Sequence, residues 1–229
     1  MASGGSQPGL IKHGSRGGAE IALTFDADMT PGMQQQFVAG VTSEYDQRIV
    51  ALLRKTDTHA TIFLTGLWAQ DHPDVVRSLA SDPLFELGNH TFDHAAFRTP
   101  CYGLVGLTTD QERQTEVTRS ADILTHLTGQ APAYFRFPGG CHTAAAVTMV
   151  RALGEVPVQW DVVSGDAFQA DAAVIVHGVL ARVRSGSIVV MHLMGAPNAP
   201  ATYDALQRII PALATRGFRI VSLTTLLGD

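Results

Sequence analysis

The stretch that decides both the fold and the site is residues 83–94, PLFELGNHTFDH, in which an apolar run ends in two histidines. Residues 84–87 have the length and apolar character of a buried β-strand. His90 and His94 are four residues apart, the spacing that places two side chains on one face of a helical turn. Two imidazoles placed in this way can bind one metal ion in a compact site. A solvated or core-facing pair of histidines is the alternative that the spacing leaves open.

Around this strand, short apolar runs alternate with longer helical patterns. The predicted strands are residues 21–25, 60–65, 84–87, 134–137, 156–162, 187–192 and 218–222. The predicted helices are residues 45–55, 73–80, 110–127, 144–153, 172–183 and 202–215. This alternation is typical of parallel strands joined by crossover helices. A chain of 229 residues with seven such strands predicts an α/β fold, either a barrel, complete or incomplete, or an open doubly wound sheet.

The composition limits the partners that this chain can have. Its formal net charge is −5 and Lys and Arg are not clustered, so a nucleic-acid partner is not expected. No apolar run approaches the roughly 20 residues that a membrane span needs. Residues 1–18 begin with a Gly- and Ser-rich stretch and are predicted to be a flexible segment before a single domain, residues 19–229. No export signal is recognisable, and a signal already removed would fit this start equally well.

The two cysteines, Cys101 and Cys141, each follow a segment with candidate catalytic residues. A disulfide between them would fit an exported protein. Two free thiols are the alternative, and the sequence leaves both open.

Polar residues suited to catalysis stand at or just beyond the ends of five predicted strands. They are Asp26, His90, Arg136, Asp166 and His192. The C-terminal ends of parallel strands share one face, and α/β enzymes build their active sites there. We therefore expect these side chains to converge, although they are far apart in sequence.

Each of these residues has a catalytic and a structural interpretation. Asp26 and Asp28 end a buried strand, where unpaired carboxylates are energetically costly. The hypothesis is that one of them binds a metal and the other is a general base. A turn or a helix cap is the alternative. Arg136 can orient a carboxylate such as Asp166, or form a purely structural ion pair. His192 is a natural proton donor if it faces a metal site, and a core histidine otherwise.

The order and spacing of five motifs resemble the polysaccharide deacetylases of the NodB-homology type, carbohydrate esterase family 4. Residues 24–28, TFDAD, resemble the first motif, T-F-D-D, and residues 89–94 match the second, H-[ST]-x-x-H with its preceding Asn. Residues 136–140, RFPGG, match R-x-P-x-G. Residues 160–166 and 190–192 resemble D-x-x-D and L-x-H. The resemblance extends over about residues 20–222.

The resemblance implies a distorted (β/α) barrel with about seven parallel strands and a divalent metal, often zinc, with cobalt or a similar ion as a substitute. It implies that His90 and His94 bind the metal and that His192 is the general acid. Asp26 would be the general base, tuned by Arg136 and Asp166. The backbone N–H of Gly139 would help to hold the oxyanion.

The chain departs from the family pattern at three places. Ala27 separates the two aspartates, so the metal ligand is predicted to be Asp28; on an extended strand, Asp26 and Asp28 share a face. Val163 replaces the first Asp of the fourth motif. Ala167 replaces the aromatic residue that follows the fourth motif, and Phe168 is a candidate to fill that space. Val190 replaces the leucine of the fifth motif.

The predicted function is a metal-dependent hydrolase that removes N-acetyl or O-acetyl groups from a polysaccharide or oligosaccharide of the peptidoglycan, chitin or xylan type. Tyr102, in the long loop 95–107, is the candidate sugar platform, and Val190 is part of the predicted pocket wall. One alternative is an amidohydrolase of the same fold that acts on a small non-sugar amide. The other is an inactive carbohydrate-binding protein. A secreted or cell-envelope location is expected, and a cytoplasmic one stays open.

Overall fold

The centre of the molecule is an entirely parallel β-sheet built around a long buried strand, β1. The structure is a computed structural model that describes residues 9–228. The strands are β1 Glu20–Ala27, β2 Ala60–Leu64, β3 Phe85–Asn89, β4 Tyr134–Phe135, β5 Val156–Pro157, β6 Val162–Val163, β7 Ile188–His192 and β8 Arg219–Ile220. Their order is β5-β4-β3-β2-β1-β7-β6, with β8 beside the start of β1. Residues 21–27 of β1 are buried throughout, as expected of a parallel strand covered on both faces.

The helices lie on the outside of the sheet and cover it. They are α1 Pro31–Val38, α2 Gln47–Lys55, α3 Gly66–Asp71, α4 Pro73–Ala80, α5 Asp110–Thr128, α6 Ala144–Ala152, α7 Ala172–Arg182, α8 Thr202–Thr215 and α9 Leu223–Leu227. The six predicted helices are all present, at nearly the predicted bounds. Helix α1 was not predicted because none of its residues is buried, so the chain shows no apolar periodicity there. No helix within residues 9–228 is long and apolar enough to cross a membrane.

The sheet curls into an incomplete barrel because its two edges are joined by a very short connection. Strands β5 and β6 lie at opposite edges of the sheet, yet only residues 158–161 separate them. Pro157 and Val162 are five positions apart and can be separated by at most about 18 Å, so the two edges must lie near each other. The predicted distorted α/β barrel with seven parallel strands is therefore confirmed. The two-residue β8 is an addition at the base of β1.

The predicted single strand over residues 156–162 is wrong, since the structure has two short strands there. Between them the carboxylate of Asp161 accepts a hydrogen bond from the backbone N–H of Ile188 at 2.9 Å. The side chain of Asp161 thus takes the place of a backbone acceptor in the ladder. The polar residues Gln159 and Asp161 mark this break in the sequence, between the apolar residues that form the two strands.

The N-terminal segment lies against the closure of the barrel where the structure describes it. Ile11 forms a β-bridge with Val158, and Arg16 pairs with Asp161 at 2.7 Å. The predicted flexible segment, residues 1–18, falls outside the described residues for positions 1–8. Residues 9–18 therefore contribute contacts to the joined sheet edges.

Glu155 is a buried acid behind the C-terminal end of β3. The residue is 6% exposed, and its Oε1 accepts a hydrogen bond from Nδ2 of Asn89 at 2.9 Å. Its Oε2 has no hydrogen-bond partner among residues 9–228. Burial raises the pKa of Glu155 from 4.5 to about 8, and the hydrogen bond from Asn89 opposes this shift only in part. The folded state therefore favours the protonated acid.

The pKa of Glu155 is higher in the folded than in the unfolded state. We therefore predict that the contribution of Glu155 to the free energy of unfolding falls as the pH rises from about 4.5 to about 8. Glu155→Gln removes this titration and keeps an oxygen that can accept from Asn89. Chemical denaturation should show that, between about pH 5 and pH 8.5, the free energy of unfolding of the variant rises by about 1–3 kcal/mol relative to that of the wild type. Parallel stability curves over that range would contradict the assignment.

Candidate active site

The five predicted strand-end residues converge at one end of the barrel. Asp26 lies in β1 beside His192, the last residue of β7, with which it is in register. His90 follows β3 directly, Arg136 follows β4, and Asp166 lies in the loop after β6. The convergence expected from parallel strand ends is confirmed.

Asp28, His90 and His94 form a compact group of possible metal ligands. One donor atom from each residue lies within 4.8 Å of the others. Oδ1 of Asp28 is 3.3 Å from Nε2 of His90 and 3.4 Å from Nε2 of His94. All three residues are buried. One carboxylate and two imidazoles therefore face a common point.

The histidine pair lies on a loop and not on the predicted helical turn. Residues 90–94 have no helical hydrogen bonding, and Thr91 and His94 adopt φ angles of 70° and 65°. This left-handed conformation is uncommon for residues other than glycine. The two histidines therefore meet through a tight turn, and their four-residue spacing does not reflect a helix.

The donor group fits a divalent cation such as zinc. Oδ1 of Asp28 and Nε2 of His90 are buried without a hydrogen-bond partner among residues 9–228, a costly state that a cation would relieve. Nδ1 of His90 lies 2.9 Å from the carbonyl oxygen of Arg136 and donates to it, which leaves the Nε2 lone pair for a metal. Burial lowers the pKa of His94 to about 4, so this imidazole is neutral near pH 7, whereas Asp26 and Asp28 outweigh burial at His90 and raise its pKa.

Asp26 is held by a buried guanidinium. Nη1 of Arg136 donates to Oδ1 of Asp26 at 2.7 Å, and Arg136 is fully buried. The guanidinium carbon lies 4.0 Å from the ring centroid of Phe63 and 5.5 Å from that of Trp160. Oδ2 of Asp26 is 3.8 Å from Nε2 of His90, farther than the nearest oxygen of Asp28. The two aspartates thus have different partners.

Asp166 holds His192, so its predicted pairing with Arg136 is wrong. Oδ1 of Asp166 accepts a hydrogen bond from Nδ1 of His192 at 2.8 Å, and Oδ2 accepts one from the backbone N–H of His192 at 2.8 Å. Burial opposes protonation of His192, but the neighbouring carboxylate outweighs it and raises the pKa to about 10. Nε2 of His192 faces Asp28 at 3.9 Å. The imidazole is therefore protonated near neutral pH and turned toward the site.

Two residues that support Asp166 were missed in the sequence. The hydroxyls of Ser164 and Thr202 each donate to its carboxylate at 2.7 Å. Thr202 is the first residue of α8 and lies 36 positions from Asp166. No local pattern signals such a contact, because hydroxyl residues near helix starts are common caps.

A cavity of about 290 Å³ opens onto the site. Its lining includes Asp26, Asp28, His94, Gly139, Val190 and His192. Gly139 has a φ of 57°, and a Cβ there would lie 2.7 Å from Sγ of Cys101. Only glycine fits this position, because both the left-handed backbone and the close sulfur exclude a side chain. The predicted substrate contacts Gly139 and Val190 therefore do border the cavity.

Two aromatic side chains from different loops stand at the mouth of this cavity. Tyr102 and Phe168 line it, are 73% and 76% exposed, and contact each other with ring centroids 5.6 Å apart. The structure joins Cys101 to Cys141 in a disulfide, which ties the Tyr102 loop to the turn that carries Gly139. Phe168, two positions after Asp166 in the sequence, lies beside Tyr102 at the rim of the cavity.

Residues 13–158, more than half of the chain, match the family model for polysaccharide deacetylase. A peptidoglycan-N-acetylglucosamine deacetylase from Bacillus cereus is 29% identical over 208 residues, which cover 91% of this chain and 68% of the relative. A chitooligosaccharide deacetylase from Sinorhizobium fredii is 30% identical over 202 residues, which cover 84% of this chain and 90% of the relative.

Solved structures agree with these relatives. The crystal structure of a peptidoglycan N-acetylglucosamine deacetylase in complex with 4-naphthalen-1-yl-N-oxidanyl-benzamide superposes with a TM-score of 0.82 at 26% identity, covering 96% of this chain and 94% of that one. A family 4 pseudoenzyme from Bacillus anthracis superposes with a TM-score of 0.78 at 22% identity, covering 96% and 69%, a likeness of fold alone. Because the family model spans the strand-end motifs up to β5 and the relatives cover nearly the whole chain, this protein belongs to the polysaccharide deacetylase family.

Proposed function

We propose that this protein is a metal-dependent deacetylase that hydrolyses N-acetyl, or O-acetyl, groups on a sugar polymer. One observation carries the proposal: the two aspartates at the end of β1 have separate partners. Asp26 is bound to Arg136, whereas Asp28 faces His90 and His94. One carboxylate is thus available as a base beside a ligand group that contains the other.

The chain's own residues divide the chemistry among them. Asp28, His90 and His94 would hold the divalent ion, which supplies Lewis-acid polarisation of the acetyl carbonyl when bound. Asp26 takes the proton of the attacking water molecule, and Arg136 keeps its carboxylate oriented. The backbone N–H of Gly139 donates to the developing oxyanion.

His192 completes the reaction as the general acid. As the carbon–nitrogen or carbon–oxygen bond breaks, its imidazolium gives a proton to the departing amine or alcohol, and acetate is released. Asp166 stabilises that imidazolium through Nδ1, which leaves the Nε2 proton directed at the site. A proton taken at Asp26 and one given at His192 balance the hydrolysis.

The rim of the cavity supports a sugar substrate. Tyr102 and Phe168 offer two exposed aromatic faces beside the site, and such faces pack well against the apolar faces of pyranose rings. Val190, on β7, borders the space for the acetyl methyl group. Peptidoglycan, chitin oligomers and acetylated xylan are the candidate polymers, and the names of the relatives favour the first two. A secreted or cell-envelope location fits such substrates.

Two other functions have a specific basis. A cavity of only about 290 Å³ also suits a small non-sugar amide. The fold likeness to a pseudoenzyme means that the barrel alone does not guarantee turnover. Two hydrogen-bonded pairs argue against an inactive carbohydrate-binding protein. Asp26 is bound to Arg136, and His192 is bound to Asp166.

Release of acetate tests the proposal directly. Purified protein should liberate acetate from chitin oligomers, peptidoglycan or acetylated xylan, should lose this activity on chelation, and should regain it with zinc or cobalt. Turnover of a small amide without turnover of any polymer would favour the second function. Binding of a polymer with no acetate release, in zinc-loaded protein, would favour the third.

We predict that Asp28→Ala, His90→Ala and His94→Ala each lose zinc affinity in calorimetric titrations. Asp26→Ala should keep the ion and lose kcat, because Asp26 is bound by Arg136 and lies 3.8 Å from Nε2 of His90, farther than Asp28 at 3.3 Å. The Asp26 variant serves as the matched control for removing one carboxylate from the same strand end. Loss of zinc in Asp26→Ala together with retention in Asp28→Ala would reverse the two roles.

His192→Ala should lower kcat by about 10²–10⁴-fold with a much smaller change in KM, because a positioned acid acts in the transition state. Zinc content, measured by elemental analysis, should not change. His177→Ala, a histidine on the outer helix α7, is the matched control and should retain wild-type kinetics. Normal turnover by His192→Ala would make His192 a structural residue.

A further inference from the structure

The loop that carries both histidine ligands, residues 90–94 (the histidine loop), has a backbone conformation that its own residues do not favour. Thr91 and His94 are both in the left-handed region, and neither is glycine. L-residues visit this region at an energetic cost, so the surrounding structure must maintain it. Phe92 and Asp93 lie between these two residues, and their backbone N–H groups donate to a side chain of α5.

A buried carboxylate on α5 receives those two N–H groups. Oε2 of Glu116 accepts hydrogen bonds from the backbone N–H of Phe92 at 2.9 Å and of Asp93 at 3.0 Å. Glu116 is 9% exposed and belongs to a different element, 23 positions or more along the chain. One oxygen thus fixes the middle of the histidine loop.

The same helix also holds the beginning of the loop. The amide of Asn89 donates to the carbonyl oxygen of Val117 at 3.0 Å, and its Oδ1 accepts from the backbone N–H of Thr91 at 3.0 Å. The guanidinium of Arg119, one helical turn after Glu116, lies 3.4 Å from the ring centroid of Phe92. Three neighbouring positions of α5 therefore contact the loop, and Glu116 accepts two of its backbone N–H groups.

We propose that Glu116 is a positioning residue for the metal site: by holding the backbone between His90 and His94, it sets the affinity for the ion. Without its carboxylate, two N–H groups would be buried and unpaired, and the loop would relax from its left-handed turns. His94 would then leave its position 3.4 Å from Asp28. The inference rests on the proposed metal site but not on the identity of the substrate.

Zinc titration of the full chain, by calorimetry with a competing chelator, tests this role. Glu116→Ala should raise the Kd for zinc by about 10–100-fold, the range for residues that orient metal ligands. Glu116→Gln keeps an oxygen that can accept both N–H groups and should stay within a few-fold of the wild type. Glu116→Asp, which is one methylene too short, should fall between them and provides the test if the Ala variant does not fold.

The matched control is Glu112→Ala, on the first turn of the same helix. Glu112 forms a capping box with Thr109 and does not contact the histidine loop. This variant should lower the Tm of the metal-free protein and leave the Kd for zinc unchanged. Wild-type zinc affinity in the Glu116 Ala and Asp variants would overturn the inference, as would equal losses of affinity in the Glu116 and Glu112 variants. Zinc binding without acetate release from any polymer would contradict the proposed function alone.

Discussion

The ion pair between Asp26 and Arg136 is the interaction on which the rest of the site depends. A guanidinium with no solvent exposure needs a counter-charge, and Asp26 supplies it at 2.7 Å. This pair holds one oxygen of Asp26, and the other lies 3.8 Å from Nε2 of His90, whereas Oδ1 of Asp28 lies 3.3 Å from it. Under the proposed function, the insertion of Ala27 between two aspartates would not remove a metal ligand, because Asp28, one residue farther along an extended chain, lies on the same face as Asp26.

The same pair requires the sheet to curl. Arg136 follows β4 and Asp26 lies in β1, and two strands, β3 and β2, separate them in the sheet. In a flat sheet this separation would be about 14 Å, since neighbouring strands lie about 4.8 Å apart. A contact of 2.7 Å across the barrel interior is possible only because the edges are drawn together through residues 158–161. Closure of the barrel and assembly of the site are thus one structural event.

The sequence was sufficient for the parallel architecture and for the residues that converge, because strand ends in such folds share a face. It failed where a contact is set by tertiary geometry. The separation of His90 and His94 suggested a helical turn, but the loop is held by Glu116 from another element. Arg136 and Asp166 are complementary charges in sequence, yet Asp166 binds His192 and two hydroxyls. Helix α1 has no fully buried residue and so left no periodic signal.

The central claim is that Asp28, His90 and His94 hold the metal while Asp26 stays with Arg136. Anomalous diffraction at the zinc absorption edge, from crystals of the zinc-loaded protein, measures this directly. The account predicts one strong peak about 2.0–2.2 Å from an oxygen of Asp28 and from Nε2 of both histidines. Asp26 should remain hydrogen-bonded to Arg136 in that crystal. A peak bonded to Asp26 with Asp28 turned away, or zinc bound elsewhere with this group empty, would contradict it.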